Sequence, residues 1–212
     1  PNNTITLDCV FPRGFYEIAF PKANQRFGIV SLERFSGVRD PFFCMDSALS
    51  WLETRPGVRE ALVKSLARTG IAMSRERLSH GSVNPAKDKW NWEGGSRKNE
   101  SMRNAYARHN VPILEVISGG GRHMKLRKQS PHYPRHLAEA ALSWSQLAEH
   151  WHSNWGGVEV YNEPDLKSIP ADQYATMVKT ASYAMKRAKV KAPLVSGVFA
   201  GMPPSPYFET FG

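Results

Sequence analysis

Short apolar runs and amphipathic stretches take turns along most of this chain, and that alternation limits the fold more than any other feature. Residues 26–35 (RFGIVSLERF), 71–78 (IAMSRERL), 111–117 (VPILEVI), 157–163 (GVEVYNE) and 192–198 (APLVSGV) read as strands. Between them, 57–69, 96–109, 134–153 and 171–190 read as helices. The first helix has Pro56 near its start and Gly70 just past its end, with Val58, Leu62 and Leu66 on one face. The third carries Leu137, Ala141, Trp144 and Leu147 at helical spacing. Strands alternating with helices imply parallel strands joined by right-handed crossovers. An open doubly wound sheet and a barrel both satisfy this pattern. The doubly wound form calls for a Gly-rich phosphate loop after the first strand. Here SLERFSGVRD has one glycine, and Gly119–Gly121 lack the G-x-G-x-x-G spacing. No Walker lysine motif is present either. The reading is therefore α/β: an incomplete (β/α)8 TIM-barrel-like fold with a short N-terminal β segment. The segment is placed at 1–25, and the first five βα units of the barrel at 26–212.

Composition narrows the class further. A chain of 212 residues can bury a full core without a staple. Its 11% aromatic content argues against intrinsic disorder. No apolar run approaches the ~20 residues of a membrane helix, so no membrane partner is expected. Two cysteines, Cys9 and Cys44, exclude a disulfide scaffold and a four-cysteine zinc site. One disulfide and two free thiols both fit. The chain begins with Pro1, which reads as a processed or excised product. The residues leave the compartment open, and a secreted or periplasmic location is the expectation.

Basic residues outnumber acidic ones 28 to 19, a net charge of +9. Such a field favours nucleic acid, anionic lipid or acidic polysaccharide. The densest groups are Lys125, Arg127 and Lys128, then Lys186, Arg187, Lys189 and Lys191. Neither accompanies a nucleic-acid fold signature, so nucleic acid ranks last among partners and the groups read as solvated faces.

In a barrel, reactive groups stand at the carboxyl ends of strands. Strand two offers Arg75, Glu76, Arg77 and His80, and strand four delivers Tyr161, Asn162 and Glu163 before Pro164 and Asp165. Pro164 is expected to hold Glu163 extended and to end the strand. A carboxyl partly desolvated by aromatic neighbours should have its pKa raised, which suits proton transfer to a leaving oxygen. Asn162 offers a donor and an acceptor to sugar hydroxyls.

The run VEVYNEPD (158–165) resembles the strand-four motif of clan A glycoside hydrolases, (β/α)8 barrels whose Asn-Glu-Pro carries the acid/base glutamate. Three further features occur in order. Gly70 ends a helix five residues before Arg75; Val83-Asn84-Pro85 and Trp90-Asn91-Trp92 follow; and HNVPILEVISG (109–119) is similar to the third strand. The middle segment resembles family 39 in particular. The resemblance implies that Glu163 is the general acid/base of a retaining hydrolase acting on a poly- or oligosaccharide. It implies that Asn162 contacts the hydroxyl beside the anomeric carbon, and that Arg75 lies under the catalytic carboxylates. His80 stands where the family often has Trp, and is assigned to substrate binding with Trp90. No cofactor and no metal are implied. The partner is a carbohydrate, with an acidic polysaccharide suggested by the charge. The strand-seven nucleophile is expected outside these residues, on a second chain or a C-terminal fragment that completes the barrel. The rival reading is a non-catalytic carbohydrate-binding or assembly protein on a degenerate part-barrel.

Other constellations are weaker. Trp144, Trp151 and Trp155 read as packing. His132 and His136 are spaced i, i+4 but without H-E-x-x-H, and Ser118 lacks a G-x-S-x-G elbow. TITLDCVF and FYEIAF alternate as half-buried strands do.

Overall fold

A computed structural model describes residues 6, 8–120, 122–124, 133–167 and 169–201. The Lys125–Lys128 cluster and His132 lie outside them, as do Thr4, Ile5 and Leu7 of TITLDCVF. The chain divides into two units, 1–37 and 38–212.

The first unit is a β-hairpin. β1 (Gly14–Phe20) pairs antiparallel with β2 (Gln25–Ser31), from Gly14 opposite Ser31 to Phe20 opposite Gln25. Pro21–Ala23 form a 3-10 turn, and Asn24 closes it in the left-handed region, which a short amide side chain tolerates. Phe20 and Phe27 meet edge to face across the ladder. The expected first barrel strand, 26–35, thus belongs to this hairpin. Its alternation fits a half-buried antiparallel strand, whereas a central parallel strand is buried on both faces. The compact unit that holds the hairpin runs to Gly37.

The second unit is a five-stranded parallel sheet in the order β3 (Cys44–Asp46), β4 (Met73–Ser79), β5 (Ile113–Ser118), β6 (Trp155–Val160), β7 (Leu194–Ser196). Space order equals chain order, as in a barrel; a doubly wound sheet reverses partway. Helices α1 (Leu49–Leu52) and α2 (Pro56–Arg68) follow β3. α3 (His80–Val83) and α4 (Asn99–Arg108) follow β4. α5 (Leu137–Trp151) follows β5, and α6 (Ala171–Arg187) follows β6. The short strand Cys44–Asp46 replaces 26–35 as strand one, so β6 remains strand four.

Alternation along each strand separates two faces. Val63, Leu78, Tyr106, Trp144, Val158 and Tyr174 are fully buried between strands and helices. Trp151 and Trp155 are also buried, while Cys9 and Cys44 are exposed free thiols. One charged pair sits in this layer. Arg103 of α4 forks onto Glu115 of β5 at 2.6 and 2.7 Å, with side-chain exposures of 4% and 0%. Arg103 also lies 4.4 Å from the Trp151 ring centre. Removing one partner of such a pair strands a buried charge. Arg103→Met should therefore cost about 3–5 kcal/mol in urea unfolding, and Arg103→Met with Glu115→Leu should regain most of it.

Candidate active site at the strand ends

The opposite face of the sheet is polar toward the strand ends. Arg75 and Arg77 of β4 point there, with Asp46 of β3 and Glu159 of β6. Arg75 grips Glu159 with two bonds of 2.6 Å, from Nε and Nη2. Its Nη1 donates to Asp46 at 2.9 Å, and Nη2 also donates to Asn162 Oδ1 at 2.8 Å. Asn162 Nδ2 donates to Glu163 Oε2 at 2.9 Å. A hydrogen-bonded line thus runs from Glu159 through Arg75 and Asn162 to Glu163. Arg77 adds two bonds of 2.6 Å to Asp46. Partial burial alone would raise the Asp46 carboxyl, but Arg77 and Arg75 outweigh it and hold it below the usual range. The Glu159 hydrogen bonds raise the Arg75 guanidinium further.

The backbone under Glu163 is set by the next strand. Glu163 N–H donates to Val198 C=O at 2.9 Å, and Glu163 C=O accepts from Leu166 N–H at 3.2 Å. Both Tyr161 (φ +69°) and Glu163 (φ +52°) are left-handed. The expected extended conformation before Pro164 is not found, because the strand stops at Val160 and the chain turns to meet Val198. Gly197 makes that approach possible: a Cβ there would lie 2.1 Å from Tyr161 O and 2.7 Å from Val160 O. Tyr174 ties the same corner, donating to Val160 C=O at 2.8 Å and accepting from Gly197 N–H.

Carboxylates at this end differ in their partners. Asp46 and Glu159 are held by arginines, and Asp165 accepts from Ala200 and Gly201 N–H at 3.2 and 2.6 Å. Glu163 is half-buried, and among the described residues it accepts from Asn162 and pairs with no cation.

Two of the expected substrate contacts lie elsewhere. His80 is fully buried; its Nε2 is 2.7 Å from Ser143 Oγ of α5. It follows Ser74, Glu76 and Leu78 in strand parity, which places it on the helix side. Trp90 stacks on Trp92 at 4.3 Å, Trp92 stacks on His150 at 3.8 Å, and His80 meets Trp90 edge to face. Both residues belong to a packing column against α5, and no hydrogen bond or ring contact among the described residues joins them to Glu163. Glu159, Asp46 and Gly197 are not among the residues that the sequence points to, and Arg77 is picked out there only as a strand-end group. A glutamate inside the apolar run GVEVY, on the parity of the interior face, was the available signal for Glu159.

No protein-family model matches the chain, and no curated protein matches it. Solved structures do match in fold. A family 39 glycoside hydrolase from the gut symbiont Bacteroides cellulosilyticus WH2 superposes with TM-score 0.63 at 16% identity, over 88% of this chain and 39% of that one. A GH5 subfamily 18 protein from Streptomyces cattleya, solved with GlcNAc, gives 0.50 at 12% identity, over 76% and 45%. An exo-β-1,4-mannosidase from Opitutaceae bacterium strain TAV5 gives 0.50 at 12%, over 72% and 31%. The chain therefore has the fold of part of a glycosidase-like TIM barrel and spans less than half the length of these neighbours.

Burial of His80 also sets a pH dependence. Desolvation, with the charge of His123, pushes its pKa from 6.5 down to about 3. The folded state keeps it neutral while the unfolded chain protonates near 6.5, so stability is present above pH 6.5 and is lost as pH falls toward 3. Between pH 6 and 4, unfolding free energy should fall with a slope about 1.4 kcal/mol per pH unit steeper in the parent than in His80→Gln. Chemical denaturation across that range measures it.

Proposed function

We propose that this chain carries the acid/base half of a retaining glycoside hydrolase site. The carrying observation is the line Glu159–Arg75–Asn162–Glu163, which presents at a strand-four mouth a carboxyl paired with no cation among the described residues. Glu163 protonates the glycosidic oxygen as the bond to the anomeric carbon breaks. A carboxylate nucleophile attacks that carbon from the other face. Glu163 then takes a proton from the water that releases the sugar, and configuration is retained. Asn162, oriented by Arg75, has its amide between Glu163 and the guanidinium, where it can bond the hydroxyl next to the anomeric carbon. The nucleophile must stand about 5–5.5 Å from Glu163. Asp46 and Glu159 are committed to arginines, so it is supplied by polypeptide that completes the barrel, as a second chain or a C-terminal segment. The substrate is a poly- or oligosaccharide, met outside the cytoplasm.

The test is hydrolysis by the completed barrel. Glu163→Gln should lower kcat on an unactivated glycoside by about 10²–10⁴-fold, and much less on one with an acidic phenol as leaving group. Equal rates in parent and variant would exclude the role. Anomeric NMR of the first-formed product should show retention.

A further inference from the structure

The rim over β3 and β4 carries one cation more than its carboxylates balance. Glu76, buried on the helix side of β4, accepts from Leu49 N–H at 2.7 Å, Ser50 N–H at 3.2 Å, Ser50 Oγ at 2.6 Å and Tyr106 OH at 2.7 Å. It caps α1 and so fixes Trp51, whose residue surface is 49% exposed. Arg59 of α2, itself 4% exposed, donates to Ser50 C=O at 3.2 Å and to Arg97 C=O at 2.7 Å. This one buried guanidinium clamps the Trp51 turn to the 3-10 turn Gly95–Arg97. The Arg97 guanidinium then lies 4.8 Å from the Trp51 ring centre, and Arg77 lies 5.8 Å from it.

Charges here do not balance. Arg59, Arg75, Arg77 and Arg97 face three carboxylates: Asp46, shared by Arg75 and Arg77; Glu159, held by Arg75; and Glu76, taken up by α1. Among the described residues Arg97 has no acidic partner, and its Nη1 has no hydrogen-bond acceptor. Burial lowers its pKa, so the cation is held there at a cost that an anion would relieve. Both turns follow strand ends, on the side of the sheet where Glu163 stands.

We propose that Trp51 and Arg97 form a subsite for a hexuronic acid residue of an acidic glycan, with Arg97 taking the carboxylate and the half-exposed indole meeting the sugar ring. A planar carboxylate matches the guanidinium fork, and Arg77 adds positive potential. The proposal names the substrate class of the site above and rests on that reading for cleavage, though not for binding.

Calorimetric titration of this chain with a β-1,4-linked glucuronic acid tetramer and with the matching glucose tetramer tests it. The acidic tetramer should bind about tenfold more tightly at low salt. Arg97→Ala should reduce that preference to near unity, with the far-ultraviolet spectrum and Tm kept as a check on folding. Arg187→Ala with Lys189→Ala, on the far end of α6, should leave it intact, which separates a subsite from general attraction. Glu163→Gln should bind like the parent. Equal affinity for the two tetramers, no binding of either, or a preference that survives Arg97→Ala overturns the proposal. An Arg97-dependent preference without hydrolysis by the completed barrel keeps the subsite and rejects the catalytic reading; hydrolysis without the preference does the reverse.

Discussion

Everything at the strand ends depends on the pairing of Arg75 with Glu159. Two bonds of 2.6 Å join side chains that are 12% and 2% exposed. Neither charge is tolerable there alone, since each desolvated ion needs its partner. The planar guanidinium fixes direction as well as charge. Once two of its nitrogens are committed to Glu159, Nη1 must meet Asp46 and Nη2 can reach Asn162. Asn162 is then oriented with its amide nitrogen toward Glu163. The aim of the Glu163 carboxyl is thus inherited from a pair two strands apart.

The backbone solution is separate and complementary. Glu163 sits at φ +52° because its N–H must find Val198 C=O once β6 has ended. That bond requires the chain after β7 to run against Val160 and Tyr161, which only the missing Cβ of Gly197 permits. Side-chain aim comes from β4, and main-chain position comes from β7. Strain of this kind is held by surrounding bonds and commonly marks sites that act on ligands.

Much of this was legible in the sequence. Helical spacing at Leu137, Ala141, Trp144 and Leu147, and the apolar runs of β5 and β6, placed those elements within a few residues. Asn162, Glu163 and Arg75 stand out because reactive groups of a barrel gather at strand ends and because of the resemblance around VEVYNEPD, and the structure joins them in one line. Errors arose where local pattern and tertiary pairing diverge. The alternation in RFGIVSLERF is that of an antiparallel hairpin, and the true first strand is only Cys44–Asp46, too short to show a period. Missing it meant missing Asp46. The resemblance assigns His80 to substrate binding, whereas strand parity sends it to the helix layer with Ser143. Trp90 followed a motif into a loop whose stack on Trp92 and His150 was invisible without the fold. Glu76 reads as a strand-end group and Arg59 as one more charge on a helix, yet they fasten the turns that carry Trp51 and Arg97.

The most direct measurement of the Arg75 hub is side-chain NMR of its guanidinium with hydrogen exchange at neutral pH. A guanidinium locked onto Glu159, Asp46 and Asn162 gives resolved Hε and Hη signals that exchange slowly. Glu159→Gln should collapse them and shift the Asn162 side-chain amide. Averaged, fast-exchanging Arg75 signals in the parent chain, or an Asn162 amide unmoved by Glu159→Gln, would contradict the account.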